Sequence, residues 1–538
     1  MSRVRGTAVR AAVAVLVSAS VVTACTPRGT VPADDAGPAG NAGPAGNAGP
    51  AGNAGPAGNA GPDRFEHQEI DWHGCKGGPQ DTEGAELDEA GARCAELTVP
   101  LDYRRPDGRT IEVAVSRLPA TDPAHRRGTL LYNPGGPGLP VRYLALHLRR
   151  AVPTLAARYD VVGMDPRFVG RSTPLDCHWP AVGIGSAGTD RGTFDRTVRL
   201  AEDLASRCAG QRSVLPHAST RNTARDMDVV RAALGERKIS YLGSSYGTYL
   251  GQVYTQLFPG RTDRVVLDST LDADTYGPDL TRTLGPSVTR ALRHWAAWAA
   301  RRDGTYHLGP TTDRVMRTIG RLNRDVGRSP VALGTHTVDS RNLPQLLWNV
   351  TAGDSDEAYA SYSADVAVLV RAAHGDSVQP TPTLDQVLTD LAGPDADGTF
   401  AVQTAVQCAD RAAASRDPET YYRDIVEHRA DDPVFGPLTR TVTPCTFWPT
   451  TPAEPPTDVH NGVPLLMVGA TGDPATVYRG QLAAHRDLGN SRLVTLLGAY
   501  RHTVYAGLFA PRNACVDEVV DHYLATGVLP SHDTTCRT

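Results

Sequence analysis

Lys238-Ile239-Ser240-Tyr241-Leu242-Gly243-Ser244-Ser245-Tyr246-Gly247-Thr248-Tyr249-Leu250-Gly251 is a short β-prone run that ends in Gly-x-Ser-x-Gly and passes directly into helical spacing. This is the sequence form of a nucleophile elbow, a tight strand-to-helix turn with a serine at its apex. Gly243 and Gly247 lack the β-carbons that would collide where strand and helix approach. The turn predicts an exposed Ser245 Oγ. It also puts the N–H of Tyr246 at a helix N-terminus, where a developing oxyanion can be held. In a chain with 53 glycines the pentapeptide also arises by chance, so the reading rests on the partners that follow.

Around the elbow the chain alternates strands and helices. Residues 110–118 alternate Ile111, Val113 and Val115 as a half-buried strand. Residues 128–133, 159–163, 238–243 and 264–268 read as further strands. Between 159–163 and 238–243, residues 220–234 predict a helix with Thr220 as its cap and Gly235 as its stop. Such alternation implies a mostly parallel sheet covered on both faces, an α/β architecture. It breaks at about 271–401, where helical segments such as 289–302 dominate, and that stretch is expected to be an inserted helical lid. Strand and helix resume at 464–469, 476–488, 492–497 and 514–526.

An activated serine needs a base, and the base needs an orienting acid. Asp473 follows the predicted strand 464–469, and His502 follows the strand 492–497. Acid then histidine, each on a loop after a late strand, is the order of the α/β-hydrolase fold. Asp268 is the alternative acid, while His485 and His522 fall within predicted helices and are weaker bases. The second oxyanion donor is expected after an early strand, in Asn133-Pro134-Gly135-Gly136-Pro137-Gly138. Pro137 has no N–H, which leaves Gly136 or Gly135.

Composition and charge narrow the class. The chain has 538 residues, 40% hydrophobic and 21% charged, and a net charge of −5 gives no electrostatic reason to expect nucleic acid. Residues 1–24 read as a signal peptide: Arg3, Arg5 and Arg10 precede an apolar run too short to span a bilayer as a mature helix. It ends Val22-Thr23-Ala24-Cys25, which resembles a bacterial lipobox and predicts lipidation of Cys25. A lipid of two or more acyl chains, at ~0.8 kcal/mol per buried methylene, anchors stably where one chain does not. The expected location is therefore the outer face of the cytoplasmic membrane, or release beyond it. Residues 25–62 carry repeats of Ala-Gly-Pro-Ala-Gly-Asn and read as an unfolded spacer about 35 Å from end to end. Residues 63–538 are left for the catalytic domain. Setting Cys25 aside, the simplest pairing joins neighbours: Cys75 with Cys94, Cys177 with Cys208, Cys408 with Cys445 and Cys515 with Cys536. Each bond is worth roughly 3 kcal/mol in the chain-entropy model. No Cys-x2-Cys spacing suggests zinc, and neither metal nor cofactor enters the expected chemistry.

Several stretches together resemble the secreted bacterial tripeptidyl aminopeptidases, α/β-hydrolase serine peptidases related to proline iminopeptidase. They are residues 133–138, Tyr159-Asp160-Val161-Val162-Gly163-Met164-Asp165-Pro166-Arg167-Phe168-Val169-Gly170-Arg171-Ser172, Asn222-Thr223-Ala224-Arg225-Asp226-Met227-Asp228, the elbow, residues 401–410, Asp473-Pro474-Ala475-Thr476 and residues 513–517. The resemblance covers most of the chain from about residue 72. It implies Ser245 as nucleophile, His502 as base, Asp473 as its orienter, and Gly136 with Tyr246 as oxyanion donors. Phe168 and Thr503 depart from it, standing where the family usually or commonly has glycine. The implied function is a serine exopeptidase that releases short peptides, tripeptides by the resemblance, from the free N-terminus of a peptide substrate. Its α-ammonium calls for a carboxylate, first Asp410 and more weakly Asp354, Asp356 or Glu357. The alternatives are an esterase or amidase using the same triad, and a tethered binding lipoprotein with an inactive hydrolase fold.

Overall fold

The computed structural model describes residues 63–181, 183, 185–395 and 398–538. The expected signal peptide, Cys25 and the repeat spacer lie outside the described residues. The centre is a nine-stranded sheet in the order β1-β2-β4-β3-β5-β6-β9-β10-β11. Its strands are β1 (Arg93–Pro100), β2 (Thr110–Leu118), β3 (Gly128–Asn133), β4 (Tyr159–Met164), β5 (Ile239–Ser244), β6 (Thr262–Asp268), β9 (Leu465–Ala470), β10 (Ser491–Leu497) and β11 (Thr534–Arg537). A separate hairpin holds β7 (Val331–Leu333) and β8 (His336–Val338). From β4 to β11 every neighbour is parallel, while β1 and β2 run antiparallel to each other and β2 antiparallel to β4.

Strands buried on both faces read as continuous apolar runs, and their side chains divide between two cores. Leu131, Tyr241, Val265, Leu267 and Met467 pack on one side, against helices Thr220–Ala233 and Tyr246–Leu257. Leu130, Leu242, Val266, Leu466 and Val468 pack on the other, against Leu144–Ala151 and Ala514–Thr526. The cap of helix Thr220–Ala233 differs from expectation: Ser219 takes the N-cap role, accepting from the Asn222 N–H. Thr220 is thereby the first helical residue, and its N–H and hydroxyl are turned elsewhere. β1 and β11 were not read as strands. Arg93-Cys94-Ala95-Glu96 hides the alternation of β1, and Thr534-Thr535-Cys536-Arg537 is too short and polar to signal β11.

Between β6 and β9 the chain builds a helical cap with its own apolar core, centred on Leu292, Trp295, Ile319, Trp348, Tyr362 and Leu384. Helices Gly285–Ala300, Thr312–Arg328, Asp356–Ala373 and Pro382–Ala392 supply most of it. The helical stretch continues past residue 401 through Thr399–Asp410 and Pro418–His428. The disulfides Cys75–Cys94, Cys177–Cys208, Cys408–Cys445 and Cys515–Cys536 are formed as expected. Such bonds persist in an oxidising, exported setting. Among the described residues no helix is long and apolar enough to cross a membrane.

Candidate active site

Ser245 leaves the C-terminal end of β5 with φ 55° and ψ −126°, a conformation that costs a non-glycine residue about 1–3 kcal/mol. Its N–H donates to the Asp268 carbonyl at 3.0 Å, which ties the elbow to the end of β6. The closeness anticipated at the flanking glycines is present: a Cβ on Gly247 would lie 2.1 Å from the Asn133 carbonyl oxygen. The hydroxyl of Ser245 makes no capping bond to its own helix. Tyr246 opens that helix, so its N–H has no intrahelical partner.

Of the two glycines offered by the loop after β3, the geometry favours Gly136. The Gly135 N–H donates to Asn133 Oδ1 at 2.9 Å and is therefore occupied. Gly135, at φ +112°, lies so near the nucleophile that a Cβ there would be 2.9 Å from Ser245 Cβ. Asp165, within the stretch 159–172, shapes the far end of the same loop. Its Oδ1 accepts from Val141 and Arg142 N–H at 2.6 and 3.0 Å, and its Oδ2 accepts from Arg171 N–H at 2.9 Å. Burial nonetheless pushes the Asp165 carboxyl up. Sequence reasoning had given Asp165 no task; an aspartate just past a buried strand was the available signal.

The loops after β9 and β10 bring Asp473 and His502 together. His502 Nδ1 is 3.1 Å from both Asp473 oxygens, with side chains 1% and 0% exposed. Asp473 Oδ1 also accepts from the N–H of Ala475 and Thr476, each at 2.9 Å, and its Oδ2 accepts from Thr476 Oγ1 at 2.7 Å. Burial works against ionisation of Asp473, yet the neighbouring His502 and these bonds hold its carboxyl below its usual range. A proton on Nδ1 shared with the carboxylate leaves Nε2 as the acceptor. That Nε2 is buried without a hydrogen-bond partner, so its bond to Ser245 Oγ is not closed in this conformation. Catalytic hydrogen bonds of ligand-free enzymes commonly tighten only with substrate.

Asp268, weighed as an alternative acid, serves the backbone instead. Its carboxylate accepts from the N–H of Val504 (2.9 Å) and Tyr505 (3.0 Å), and burial pushes its pKa up to about 6. His485 bonds Ser491 and Asp533, and His522 is exposed on its helix. Asp410 is 6% exposed; its oxygens accept from the Thr220 N–H (2.7 Å) and Oγ1 (2.5 Å), and Thr220 Oγ1 also meets Tyr246 OH at 2.7 Å. Burial pushes the Asp410 pKa up to about 7. Asp356 accepts from Trp298 Nε1 at 2.6 Å, and Glu357 is exposed. Among the described residues no group of His, Cys, Asp and Glu is arranged to hold a metal ion.

Residues 128–376 match the family described as alpha/beta hydrolase fold, and 432–536 match that described as TAP-like protein. A tripeptidyl aminopeptidase of Streptomyces lividans is 35% identical over 466 residues, covering 82% of this chain and 83% of that one. Serine protease Hip1 of Mycobacterium tuberculosis is 29% identical over 478 residues, covering 83% and 87%. A protein named carboxylesterase B, also of M. tuberculosis, is 30% identical over 506 residues, covering 86% and 89%. The chain belongs to the TAP-like family of α/β-hydrolases, and it is a serine hydrolase.

Proposed function

We propose that this protein is a serine exopeptidase that removes tripeptides from the free N-terminus of peptide substrates through an acyl-enzyme on Ser245. The observation that carries the reading is the Asp473–His502 pair beside the Ser245 elbow, in a chain 35% identical to a tripeptidyl aminopeptidase along 82% of its length. Ser245 Oγ attacks the scissile carbonyl carbon while His502 Nε2 takes its proton. The N–H groups of Gly136 and Tyr246 hold the tetrahedral oxyanion, and His502 returns the proton to the departing amine. Water, activated by the same imidazole, then cleaves the ester and frees Ser245.

An exopeptidase must also recognise the substrate ammonium. Asp410 supplies that charge: it is buried beside Tyr246, and an arriving cation would favour its ionised form. The carboxylesterase relative gives the esterase reading a footing. The peptidase reading is the stronger because the TAP-like match spans 432–536, which holds both Asp473 and His502. The proposal extends to the N-terminal segment: a cleaved leader, a lipid on Cys25 and a spacer that lifts the enzyme from the membrane surface.

The test uses matched fluorogenic tripeptide amides, one with a free amine and one acetylated, on protein starting at Asp63. The expected outcome is strong preference for the free amine and loss of all turnover in Ser245→Ala. Asp410→Asn should abolish the preference by raising KM at least about 10-fold for the free-amine substrate, since charge-assisted bonds are worth roughly 1.5–3 kcal/mol. Ester cleavage without peptide cleavage would replace the peptidase reading with the esterase one.

A further inference from the structure

The loop that bears His502 is gripped on both sides by buried carboxylates, and one of them belongs to the cap. Downstream of the histidine, Asp268 at the end of β6 holds the N–H of Val504 and Tyr505, and Ser269 Oγ accepts from the Thr503 N–H at 2.8 Å. Upstream, the hold comes from Asp354, which lies between the turn Asn349–Ala352 and the cap helix Asp356–Ala373. Asp354 Oδ2 accepts from the Tyr500 N–H at 2.7 Å, and Oδ1 stands 2.7 Å from Arg501 Nε. That second approach is close but out of line with the N–H, so it acts chiefly as an attraction between charges. Both side chains are largely shut off from water, at 4% exposure for Asp354 and 10% for Arg501. The Tyr500 ring stacks on His294 of the cap helix Gly285–Ala300, with centroids 4.1 Å apart and planes 12° from parallel, and it packs against the apolar core of the cap.

We propose that Asp354 is a positioning residue through which the seated cap sets His502 against Ser245. The inference rests on Ser245 and His502 being the nucleophile and base. Tyr500 is two residues from His502, so a shift at the anchored N–H passes to the imidazole with little backbone slack to absorb it. Removing the carboxylate leaves a buried Arg501 without its counter-charge, a state that drives a loop to rearrange. Asp354 is also spent on this loop, which is a different task from binding a substrate ammonium. The acid loop also meets the cap helix Gly285–Ala300, where the Ser287 hydroxyl is shared between the Leu284 carbonyl at 2.8 Å and the Pro474 carbonyl at 3.1 Å. Seating of the cap therefore bears on both halves of the Asp473–His502 pair.

The experiment compares Asp354→Asn and Asp354→Ala with the parent protein on p-nitrophenyl acetate, on the free-amine tripeptide amide, and by the rate at which a fluorophosphonate labels Ser245. All three are measured at a temperature where thermal melts show each protein folded. The expected result for Asp354→Ala is a fall of about 10- to 100-fold in kcat and in labelling rate, with KM changed less than about threefold, because an ångström of misplacement carries a penalty of that size. Asp354→Asn, which keeps an acceptor for the Tyr500 N–H, should fall in between, and it decides the matter if the alanine variant does not fold. Parental ester turnover and labelling in a folded variant would overturn the proposal. So would a rise confined to KM for the free-amine peptide, which would make Asp354 an ammonium partner. If the parent cleaves the ester and takes the probe but ignores the peptide, the exopeptidase reading falls while the positioning role is still decided.

Discussion

Thr503 and Phe168, which stand where the resemblance leads one to expect glycine, both adopt the left-handed backbone that glycine favours, with φ 64° and 73°. Ser245, Ser269 and Ala506 share the condition, at 55°, 60° and 68°, so strain gathers in the loops that meet at the nucleophile and base. Each such residue costs on the order of 1–3 kcal/mol. Thr503→Gly should therefore raise the unfolding free energy by about 1 kcal/mol, read as a higher urea midpoint. An unchanged or lower midpoint would mean that the threonine's packing outweighs its strain. Phe168→Gly should go the other way: its ring is buried in the main core, and losing it costs about 3–5 kcal/mol, more than the strain relieved. At this scale Ser245, Asp473 and His502 were legible because each follows a strand whose apolar run is unmistakable. Asp354 and Arg501 were not legible as a pair, since they are joined only by the folding of the cap onto the sheet.

The elbow works as an element because strand, turn and helix leave no spare room. Gly247→Ala would drive a methyl against the Asn133 carbonyl of β3. Backbone cannot yield there as a flexible side chain would, so the helix Tyr246–Leu257 must retreat. The expected cost is about 3 kcal/mol, together with activity reduced to the level of Ser245→Ala. A folded variant with normal turnover would show that the helix can shift without moving Ser245. Elements were readable in proportion to their burial. The central strands β3, β4, β5, β6, β9 and β10 fell within one or two residues of expectation, since two covered faces demand uninterrupted apolar sequence. β1 carries polar residues in its run, and β11 and the cap hairpin are too short to set up a period. The error at Thr220 has a physical basis too: Ser219 and Thr220 are both cap-forming types, serine the better of the two, and the Asp410 carboxylate, far off in sequence, claims the N–H and hydroxyl of Thr220.

For the molecule as a whole, buried acids set the pH dependence of stability. Burial lifts Asp410 from 3.8 to about 7, and Asp268 and Asp365 from 3.8 to about 6. A carboxyl with a raised folded pKa binds its proton more tightly in the native state, so its contribution is complete below about pH 4 and is lost as pH rises through 6 and 7. His147, His217 and His294, which burial pushes down, act in the opposite sense, but the carboxyls are displaced further. The melting temperature should therefore be higher at pH 5 than at pH 8, by on the order of 3 to 5 °C. A melting temperature that rises steadily from pH 5 to 8 would contradict this. The disulfides have a consequence of a different kind. From Cys75 onward the cysteines are bonded two by two in chain order, first with second, third with fourth and so on. A polypeptide threaded through a membrane N-terminus first presents these thiols in their order of pairing. An oxidant that joins each thiol to the one before it, as the pair emerges, makes the whole native set in a single pass, and no wrong bond is left for an isomerase to undo.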